Sequence, residues 1–394
     1  MARRLVVGAL VVSLVLGSMR VADAASHLPP AGPPAPLSRI PADVAAPPRV
    51  SADAAVLIDY ATGRILWAKD AMSPRAPAST TKMMTALVAL EQGNLESIVT
   101  VSPSAAATPG SSAHLRVGER YTLSALLHGL LLRSGNDAAV AIAQHIAGSV
   151  PAFAVLMNER ARALGLVSTN FVNPHGLTES FHFSSAYDLA LIARAALGIP
   201  TFAAIVDSPT GIMQGEDAHL RIIRKELANT NRLLVQYDWV DGVKTGTTNA
   251  AGSCLVASGT LGGMKLIAVV LHSDDRWADS LRLLQWGFSH FSDFPPYRAG
   301  TLLRTVTIAK TDETLPVVTA SPLAVPLALD EWYRARTAVR IDALKAPISR
   351  GTVVGDVAIR LNGQVLAEVP LVAGRTVRAQ PWWIRSWWWV ARRI

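Results

Sequence analysis

A serine and a lysine stand three positions apart, at Ser79 and Lys82, just ahead of a strongly apolar stretch. Apolar residues recur with helical spacing up to Leu90, and Pro77 blocks a helix upstream, so we predict a helix that begins close to Ser79. Side chains three apart share a helix face, which would pair a nucleophilic hydroxyl with its own base. The amine serves as a base only if burial lowers its pKa. The alternative is a serine helix cap followed by an exposed lysine.

Two further short motifs carry side chains suited to the same chemistry. One is Ser134-Gly135-Asn136, a polar loop between two predicted apolar helices, and the other is the strand-like Lys244-Thr245-Gly246-Thr247. Arg276 follows at the start of a later helix. Each has a structural alternative, because the loop could merely cap a helix, the lysine could protect a strand edge, and the arginine could form a salt bridge.

The elements around these motifs predict an α+β fold. A hairpin at 54–68 precedes the Ser79 helix, and later helices and strands are predicted at 123–132, 138–147, 149–165, 185–196, 254–258, 264–271 and 277–288. Thr122 and Ser149 stand at capping positions. We therefore expect an antiparallel sheet with a helical lobe against it within residues 51–292. Beyond a Pro-rich boundary, Val, Thr and Leu alternate with polar residues, which predicts a small all-β domain at 297–380.

Both ends of the chain indicate export and membrane attachment. Arg3 and Arg4, an uncharged apolar stretch and small residues near Ala24 predict a secretory signal peptide at 1–25, followed by a Pro/Ala-rich tether at 26–50. Residues 381–394 hold half of the chain's 10 tryptophans and several arginines, which predicts an amphipathic helix on an anionic membrane surface. The alternatives are an uncleaved N-terminal anchor, and a tail that packs on the β domain or binds a partner.

Composition excludes several classes of protein. The chain has 394 residues, of which 50% are hydrophobic and 17% charged, so it is not a disordered protein and has room for two domains. Its net charge of +8 suits nucleic acid, an anionic membrane or an anionic polymer. The body lacks basic runs with interleaved aromatics, so we expect no nucleic acid.

Cys254 is the single cysteine, and no His or Cys cluster has metal-ligand spacing, so we expect neither a disulfide nor a metal or other cofactor.

The three motifs together, in this order, resemble the motif set of penicillin-binding proteins and class A β-lactamases. Over residues 50–380 the chain is similar to low-molecular-mass penicillin-binding proteins of the D-alanyl-D-alanine carboxypeptidase family. Further likenesses lie at 157–166, 169–177, 228–234 and 276–288. The resemblance implies the penicillin-binding, β-lactamase-like transpeptidase fold, followed by a small C-terminal β-sandwich.

The resemblance also implies roles for the motif residues. Ser79 would attack the carbonyl of an acyl-D-alanyl-D-alanine end, and Lys82 would take its proton. Ser134 and Asn136 would pass a proton to the leaving amine and hold the substrate amide, while Lys244 would supply positive charge that couples to Ser134.

The substrate's terminal carboxylate would bind to the strand that follows Lys244. Thr245 and Thr247 would contact it, with Gly246 between them, and Arg276 would form a bidentate pair with it. The backbone N–H groups of Ser79 and Thr247 would form the oxyanion hole. Thr247 occupies a position that varies in the family, which leaves the fine substrate preference open.

The implied function is a serine-type D-alanyl-D-alanine carboxypeptidase that trims peptidoglycan stem peptides outside a bacterial cytoplasmic membrane and is inhibited covalently by β-lactams. One alternative is a β-lactamase, although the segment between Asn136 and Lys244 lacks the Glu-x-x-Leu-Asn pattern that class A enzymes use for deacylation. The other is a non-catalytic penicillin-binding sensor, which the presence of every proposed catalytic residue disfavours.

Overall fold

The computed structural model describes residues 48–379, except residues 310 and 312. The predicted signal peptide at 1–25, nearly all of the tether at 26–50 and the amphipathic helix at 381–394 lie outside the described residues. Within the described part of the chain, no single helix is both long and apolar enough to cross a bilayer.

Helices and strands are both frequent, in agreement with the predicted α+β class. In chain order the strands are β1 (Ala54–Asp59), β2 (Ile65–Lys69), β3 (Ile98–Thr100), β4 (Arg120–Thr122), β5 (Thr210–Glu216), β6 (Ile222–Ala228), β7 (Val240–Thr248), β8 (Gly252–Leu261), β9 (Met264–Ser273), β10 (Phe291–Tyr297), β11 (Leu302–Thr307), β12 (Thr314–Thr319), β13 (Leu323–Ala328), β14 (Ala335–Ile341), β15 (Val353–Leu361) and β16 (Gln364–Ala373). The helices are α1 (Lys82–Gln92), α2 (Pro103–Ala106), α3 (Leu123–Leu131), α4 (Asn136–Ala147), α5 (Val150–Ala163), α6 (Ala186–Leu197), α7 (Pro200–Asp207), α8 (Arg276–His290) and α9 (Leu329–Trp332).

A five-stranded antiparallel sheet, in the order β2-β1-β9-β8-β7, forms the centre of the fold. All six residues of β1 are buried, so this strand is covered on both faces. Because alternate side chains point to opposite faces, Val56 joins the apolar core that α1 and α6 share, and Leu57 joins a second core with α8. The predicted antiparallel sheet with a helical lobe against it is therefore confirmed.

The helices of the lobe begin where local chemistry favours a start. The hydroxyl of Thr122 accepts from the N–H of Ala125 at the start of α3, and that of Ser149 caps α5 in the same way. Helix α4 begins at Asn136, two residues before its predicted start, because Gly135 has an extended backbone and serves as the N-cap.

One hairpin of the fold was not predicted from the sequence. Strands β5 and β6 pair with each other, and β5 also pairs with β4, in a four-stranded sheet of order β3-β4-β5-β6. In these two strands only Met213 and Leu227 are buried. The apolar alternation by which a strand is recognised is therefore missing, although the backbone pairing is regular.

Between α8 and residue 379, the described residues are almost entirely β-structure. Strands β11, β12, β16, β15 and β14 form one sheet, and β10 pairs with β13. Their side chains share an apolar core that includes Val317, Val325 and Val357. This agrees with the predicted C-terminal β fold, with the single short helix α9 added. The predicted boundary between residues 292 and 297 falls inside β10, and the domain limits stay a prediction.

A buried ion pair joins the first hairpin to this β region. Arg64, between β1 and β2, contacts the carboxylate of Glu331 and donates to the carbonyl of Pro326 at 2.5 Å. Glu331 is 1% exposed, and its second carboxylate oxygen accepts from the N–H of Ala328 at 3.0 Å. Each charge is thus compensated by hydrogen bonds, which a buried ion pair requires.

Candidate active site

Ser79 lies on a short turn that leads into the helix. Residues Ala78–Thr81 form a 3-10 turn, and α1 itself begins at Lys82. Pro77 has no N–H, and its carbonyl accepts from the hydroxyl of Thr80 at 2.6 Å. Ala78 has a left-handed backbone with a φ of 48°, which costs a residue with a side chain roughly 1–2 kcal/mol. The helical segment thus starts beside Ser79 as predicted, although its first turn is 3-10.

The amino group of Lys82 is buried and has three hydrogen-bonding neighbours. Its Nζ lies 2.9 Å from Ser79 Oγ, 2.7 Å from Asn136 Oδ1 and 2.7 Å from the backbone carbonyl oxygen of His175. Burial, and then the positive charge of Lys244, hold the pKa of Lys82 well below its ordinary value. The structure therefore brings the predicted hydroxyl and amine into hydrogen-bonding distance, in surroundings that favour the neutral amine.

The carboxamide of Asn136 is held at both ends. Its Nδ2 donates to the carbonyl of Pro109 at 2.6 Å, and its backbone N–H donates to the carbonyl of Ser111 at 2.7 Å. Because the NH2 group is used in this way, Oδ1 is the end that faces Lys82. The neighbouring Asp137 accepts from the N–H of Ala113 at 2.9 Å, which fixes the same loop to α4.

Ser134 has a buried hydroxyl without a hydrogen-bond partner among the described residues. Its backbone is left-handed, with a φ of 59°, where the chain turns from α3 into α4. An unpaired buried hydroxyl is unfavourable by about 1–3 kcal/mol, so a substrate group that pairs with it would recover that energy. The predicted coupling to Lys244 does not take the form of a hydrogen bond here, and its role stays a prediction.

Lys244 is the second buried lysine of the site. It is 1% exposed, and its Nζ donates to the carbonyl of Thr245 at 3.0 Å. Burial, and then the charge of Arg276, lower the pKa of Lys244 to about 7. While it is protonated, Lys244 favours the neutral form of Lys82.

Gly246 allows β7 to approach the serine turn closely. A Cβ atom at this position would lie 3.1 Å from the backbone nitrogen of Ser79 and 3.1 Å from the carbonyl oxygen of Pro77. Any side chain would push the edge strand β7 away from the nucleophile. The strand that carries Thr247 therefore lies against the turn that carries Ser79, and the oxyanion hole stays a prediction.

Arg276 begins α8 and reaches the same strand. Its Nη1 donates to Thr247 Oγ1 at 2.8 Å and to the carbonyl of Gly246 at 2.9 Å. A guanidinium beside an exposed hydroxyl is well suited to a carboxylate. The hydroxyl of Thr245, by contrast, pairs with that of Thr230 at 2.7 Å. Of the predicted carboxylate ligands, the structure therefore groups Arg276 with Thr247, and ties Thr245 to a neighbour.

The backbone carbonyl of His175 is a site feature that the sequence analysis missed. The residue lies in a turn, where its ring accepts from the N–H of Leu177 at 3.2 Å. The next residue, Gly176, lets the turn reach the nucleophile, because a Cβ there would fall 1.8 Å from the carbonyl oxygen of Ala78. That glycine within a turn is the one sequence signal that could have indicated a close backbone contact.

A second buried histidine holds this turn in place. His182 Nε2 lies 2.9 Å from Thr81 Oγ1, and its Nδ1 accepts from the N–H of Val172 at 3.2 Å. Since Nδ1 accepts, the ring proton is on Nε2, which donates to Thr81. Burial and the charge of Lys82 lower the pKa of His182 to about 4, so the ring is neutral near pH 7.

Comparison with known proteins places the chain among relatives over most of its length. A family model described as D-alanyl-D-alanine carboxypeptidase matches residues 42–275, and one described as the C-terminal domain of penicillin-binding protein 5 matches residues 291–379. A D-alanyl-D-alanine carboxypeptidase of Bacillus subtilis is 36% identical over 333 residues, which cover 82% of this chain and 85% of the relative. One of Escherichia coli K12 is 36% identical over 343 residues, covering 82% and 83%.

Solved structures show the same similarity. Penicillin-binding protein 5 from Haemophilus influenzae superposes with a TM-score of 0.69 at 32% identity, covering 85% of this chain and 100% of that one. The Streptomyces K15 DD-transpeptidase superposes with a TM-score of 0.60 at 34% identity, covering 62% and 100%. Because the first family model spans more than half of the sequence and the relatives match most of it, the chain belongs to the D-alanyl-D-alanine carboxypeptidase family.

Proposed function

We propose that this protein is a serine-type D-alanyl-D-alanine carboxypeptidase that removes the terminal D-alanine of peptidoglycan stem peptides through an acyl-enzyme on Ser79. The contacts of Lys82 Nζ with Ser79, Asn136 and the His175 carbonyl carry the proposal. A neutral amine has two N–H groups and one lone pair. The two carbonyl-type oxygens can only accept, so they take the N–H groups. The lone pair is then left for the hydroxyl proton of Ser79.

Acylation follows from this geometry. Ser79 Oγ attacks the carbonyl carbon of the penultimate D-alanine while its proton passes to Lys82 Nζ. The backbone N–H groups of Ser79 and Thr247 stabilise the developing oxyanion. When the C–N bond breaks, the leaving amine takes the proton that Lys82 accepted from Ser79. The unpaired hydroxyl of Ser134 is suited to relay this proton, and Lys82 becomes neutral again. Free D-alanine then departs and leaves an ester on Ser79.

Deacylation returns the enzyme to its starting state. A water molecule attacks the ester carbonyl, gives a proton to the neutral Lys82, and releases the shortened peptide as the Ser79 hydroxyl is restored. A β-lactam would acylate Ser79 in the same way, but its leaving amine stays tethered by the opened ring. The covalent adduct is then long-lived, which accounts for the proposed inhibition.

The terminal carboxylate of the substrate provides binding specificity. We assign it to Arg276 and Thr247, whose side chains already contact each other, with Gly246 between them and Ser79. Thr245 and Lys244 lie on the same strand. Thr245 pairs with Thr230, and Lys244 donates to the carbonyl of Thr245. An arginine is the residue expected here because its planar fork matches a carboxylate.

Purified protein incubated with diacetyl-lysyl-D-alanyl-D-alanine tests the proposal. We expect release of free D-alanine, and we expect Ser79→Ala to abolish both this release and the mass increase caused by penicillin. Penicillin labelling without D-alanine release would favour the non-catalytic sensor instead. Rapid hydrolysis of the penicillin would favour the β-lactamase, and labelling of another serine would overturn the assignment of Ser79.

We propose further that the protein acts in the bacterial cell envelope, at the outer face of the cytoplasmic membrane. The predicted peptidase domain at 51–292 and β domain at 297–380 would be held there by residues 381–394, whose tryptophans and arginines suit the interface of an anionic bilayer. Deleting 381–394 should release the protein from membranes and leave peptide turnover nearly unchanged. If the shortened protein stays membrane-bound, an uncleaved segment at 1–25 is the anchor.

A further inference from the structure

A cleft of about 340 Å³ lies beside the Ser134 loop and contains none of the residues assigned to catalysis above. Strand β6, Arg133 and the loop around Ala113 line it. Arg133 directly precedes Ser134, so their Cα atoms are about 3.8 Å apart. Ala113 packs against the same loop, since a Cβ on Gly135 would lie 3.0 Å from its own. The cleft is therefore an immediate neighbour of the catalytic loop.

Positive charge predominates in this cleft. Its charged lining residues are Arg116, Arg133, Arg224, Lys225, Glu119 and Glu226. Glu119 is buried and already satisfied, because it accepts from Lys225 Nζ at 2.7 Å and from the hydroxyl of Tyr121 at 2.8 Å. Across residues 48–379, with the two exceptions noted, the guanidinium groups of the three arginines form no salt bridge. These arginines are thus available to an incoming anion.

Hydrogen bonds connect the walls of the cleft to the helix that carries Asn136. Asp137 accepts from the N–H of Ala113 and follows Asn136 directly in α4. On the opposite wall, Lys225 Nζ also donates to the carbonyl of His114 at 2.5 Å, which ties β6 to the same loop. An anion bound here would be positioned relative to Ser79 by hydrogen bonds already present in the fold.

We propose that this cleft binds a free carboxylate in the stem peptide, upstream of the scissile D-alanyl-D-alanine bond, through Arg133 and Arg224. The inference rests on the proposed function, since it takes a stem peptide as the substrate. An extended chain advances about 3.3–3.6 Å per residue, so a residue two positions upstream stands roughly 7 Å from the attacked carbonyl. Arg133 directly precedes Ser134 in the loop that also carries Asn136, and the planar fork of an arginine suits a carboxylate.

The test compares the kcat/KM of D-alanine release from three peptides. The first is L-alanyl-γ-D-glutamyl-(acetyl)lysyl-D-alanyl-D-alanine with its free α-carboxylate, the second is its α-carboxamide, and the third is diacetyl-lysyl-D-alanyl-D-alanine. We expect the wild type to prefer the first over the second by about tenfold, as two partly exposed ion pairs would give. Arg133→Gln with Arg224→Gln should remove this preference and leave the third peptide unchanged. Arg162→Gln, an exposed arginine on α5 outside the cleft, is the matched control.

A substitution that removes a negative charge from the cleft should have the opposite effect on the preference. Glu226→Gln removes the exposed carboxylate of the cleft and should raise the preference for the carboxylate peptide about twofold. Equal turnover of the first two peptides by the wild type would overturn the carboxylate site while leaving the proposed function intact. A wild type that releases D-alanine from none of the three would overturn the proposed function itself. If the double variant loses kcat/KM equally on all three peptides, the arginines stabilise the fold and do not bind the carboxylate.

Discussion

Ser79 Oγ and Lys82 Nζ are 2.9 Å apart across the point where a 3-10 turn becomes an α-helix. In a 3-10 turn, residues three apart lie almost directly above one another, whereas in an α-helix they are offset. The tight turn therefore places the hydroxyl over the amine more closely than an α-helical start would. The left-handed Ala78 ahead of it is part of the same local arrangement.

Lys82→Arg should remove nearly all acylation by penicillin although it keeps the positive charge. Arginine is not deprotonated in proteins, so it has no lone pair for the proton of Ser79. We expect the second-order rate constant of acylation to fall by a factor on the order of 10²–10⁴, the usual contribution of a general base. Stopped-flow measurement with a chromogenic β-lactam gives this constant. A near wild-type rate would show that Lys82 acts only through its charge.

The pH profile of kcat/KM should have a falling limb near pH 7. Activity needs neutral Lys82, whose pKa is lowered, so the rate rises as the pH increases through the Lys82 pKa. It also needs charged Lys244, whose pKa is about 7, so the rate falls as the pH increases through that value. In Lys244→Arg the charge persists, and the falling limb should disappear even if the maximum is lower. A limb that remains in this variant belongs to another group.

Lys244→Met should stabilise the fold, and by more at pH 6 than at pH 10. The Lys244 pKa is about 7 in the folded protein against an ordinary lysine value of 10.5, so between these values the unfolded chain binds more protons. The unfolding free energy of the wild type therefore rises as the pH increases from about 7 to 10.5. Below pH 7 the folded protein bears the full cost of burying the charged amine. We expect a gain of about 1–3 kcal/mol at pH 6 by urea unfolding.

The exposed Lys345 provides the control for that measurement. Lys345→Met removes the same charge from the surface, and its effect on unfolding free energy should be small and nearly independent of pH. If Lys244→Met also shows no dependence on pH, the amine of Lys244 titrates alike in the folded and unfolded states. The assigned role of burial would then be wrong.

Arg276→Gln should weaken turnover of peptides that end in a free carboxylate. Its guanidinium contacts Thr247, and a charged hydrogen bond contributes about 1.5–3 kcal/mol, so kcat/KM should fall roughly 10- to 100-fold. A peptide whose C-terminus is an amide lacks the charge, and we expect the variant and the wild type to cleave it at similar rates. Equal losses on both peptides would indicate that Arg276 supports the fold of β7 instead.

Local signals were enough to predict much of the lobe that carries the site. The hairpin around Gly63, the cap of Thr122 and the serine at the helix start all depend on residues close in sequence. The order of strands in the central sheet depends on residues far apart in sequence, because Ala54 pairs with Leu271. Only the folded chain shows that β1 lies in the middle of the sheet and β7 at its edge.

The parts of the site that escaped prediction are those made by the backbone. The His175 carbonyl accepts from Lys82, yet any residue type would supply the same oxygen. The missed hairpin of β5 and β6 is mostly exposed and has no apolar period, but β6 supplies Arg224 to the charged cleft. The pattern of residue types indicates side-chain chemistry and burial. It does not indicate contacts that backbone atoms make.

The ion pair between Arg64 and Glu331 bears on how this protein could be divided or recombined. Replacing Glu331 alone would leave the covered guanidinium of Arg64 without the carboxylate that compensates its charge, and breaking such a pair costs about 3–5 kcal/mol. That loss would fall on the β1–β2 hairpin, which supplies a buried strand to the sheet that also carries Lys244. A C-terminal segment exchanged from a relative would therefore have to supply an acidic side chain at the position of Glu331, whatever the length of its connecting loop.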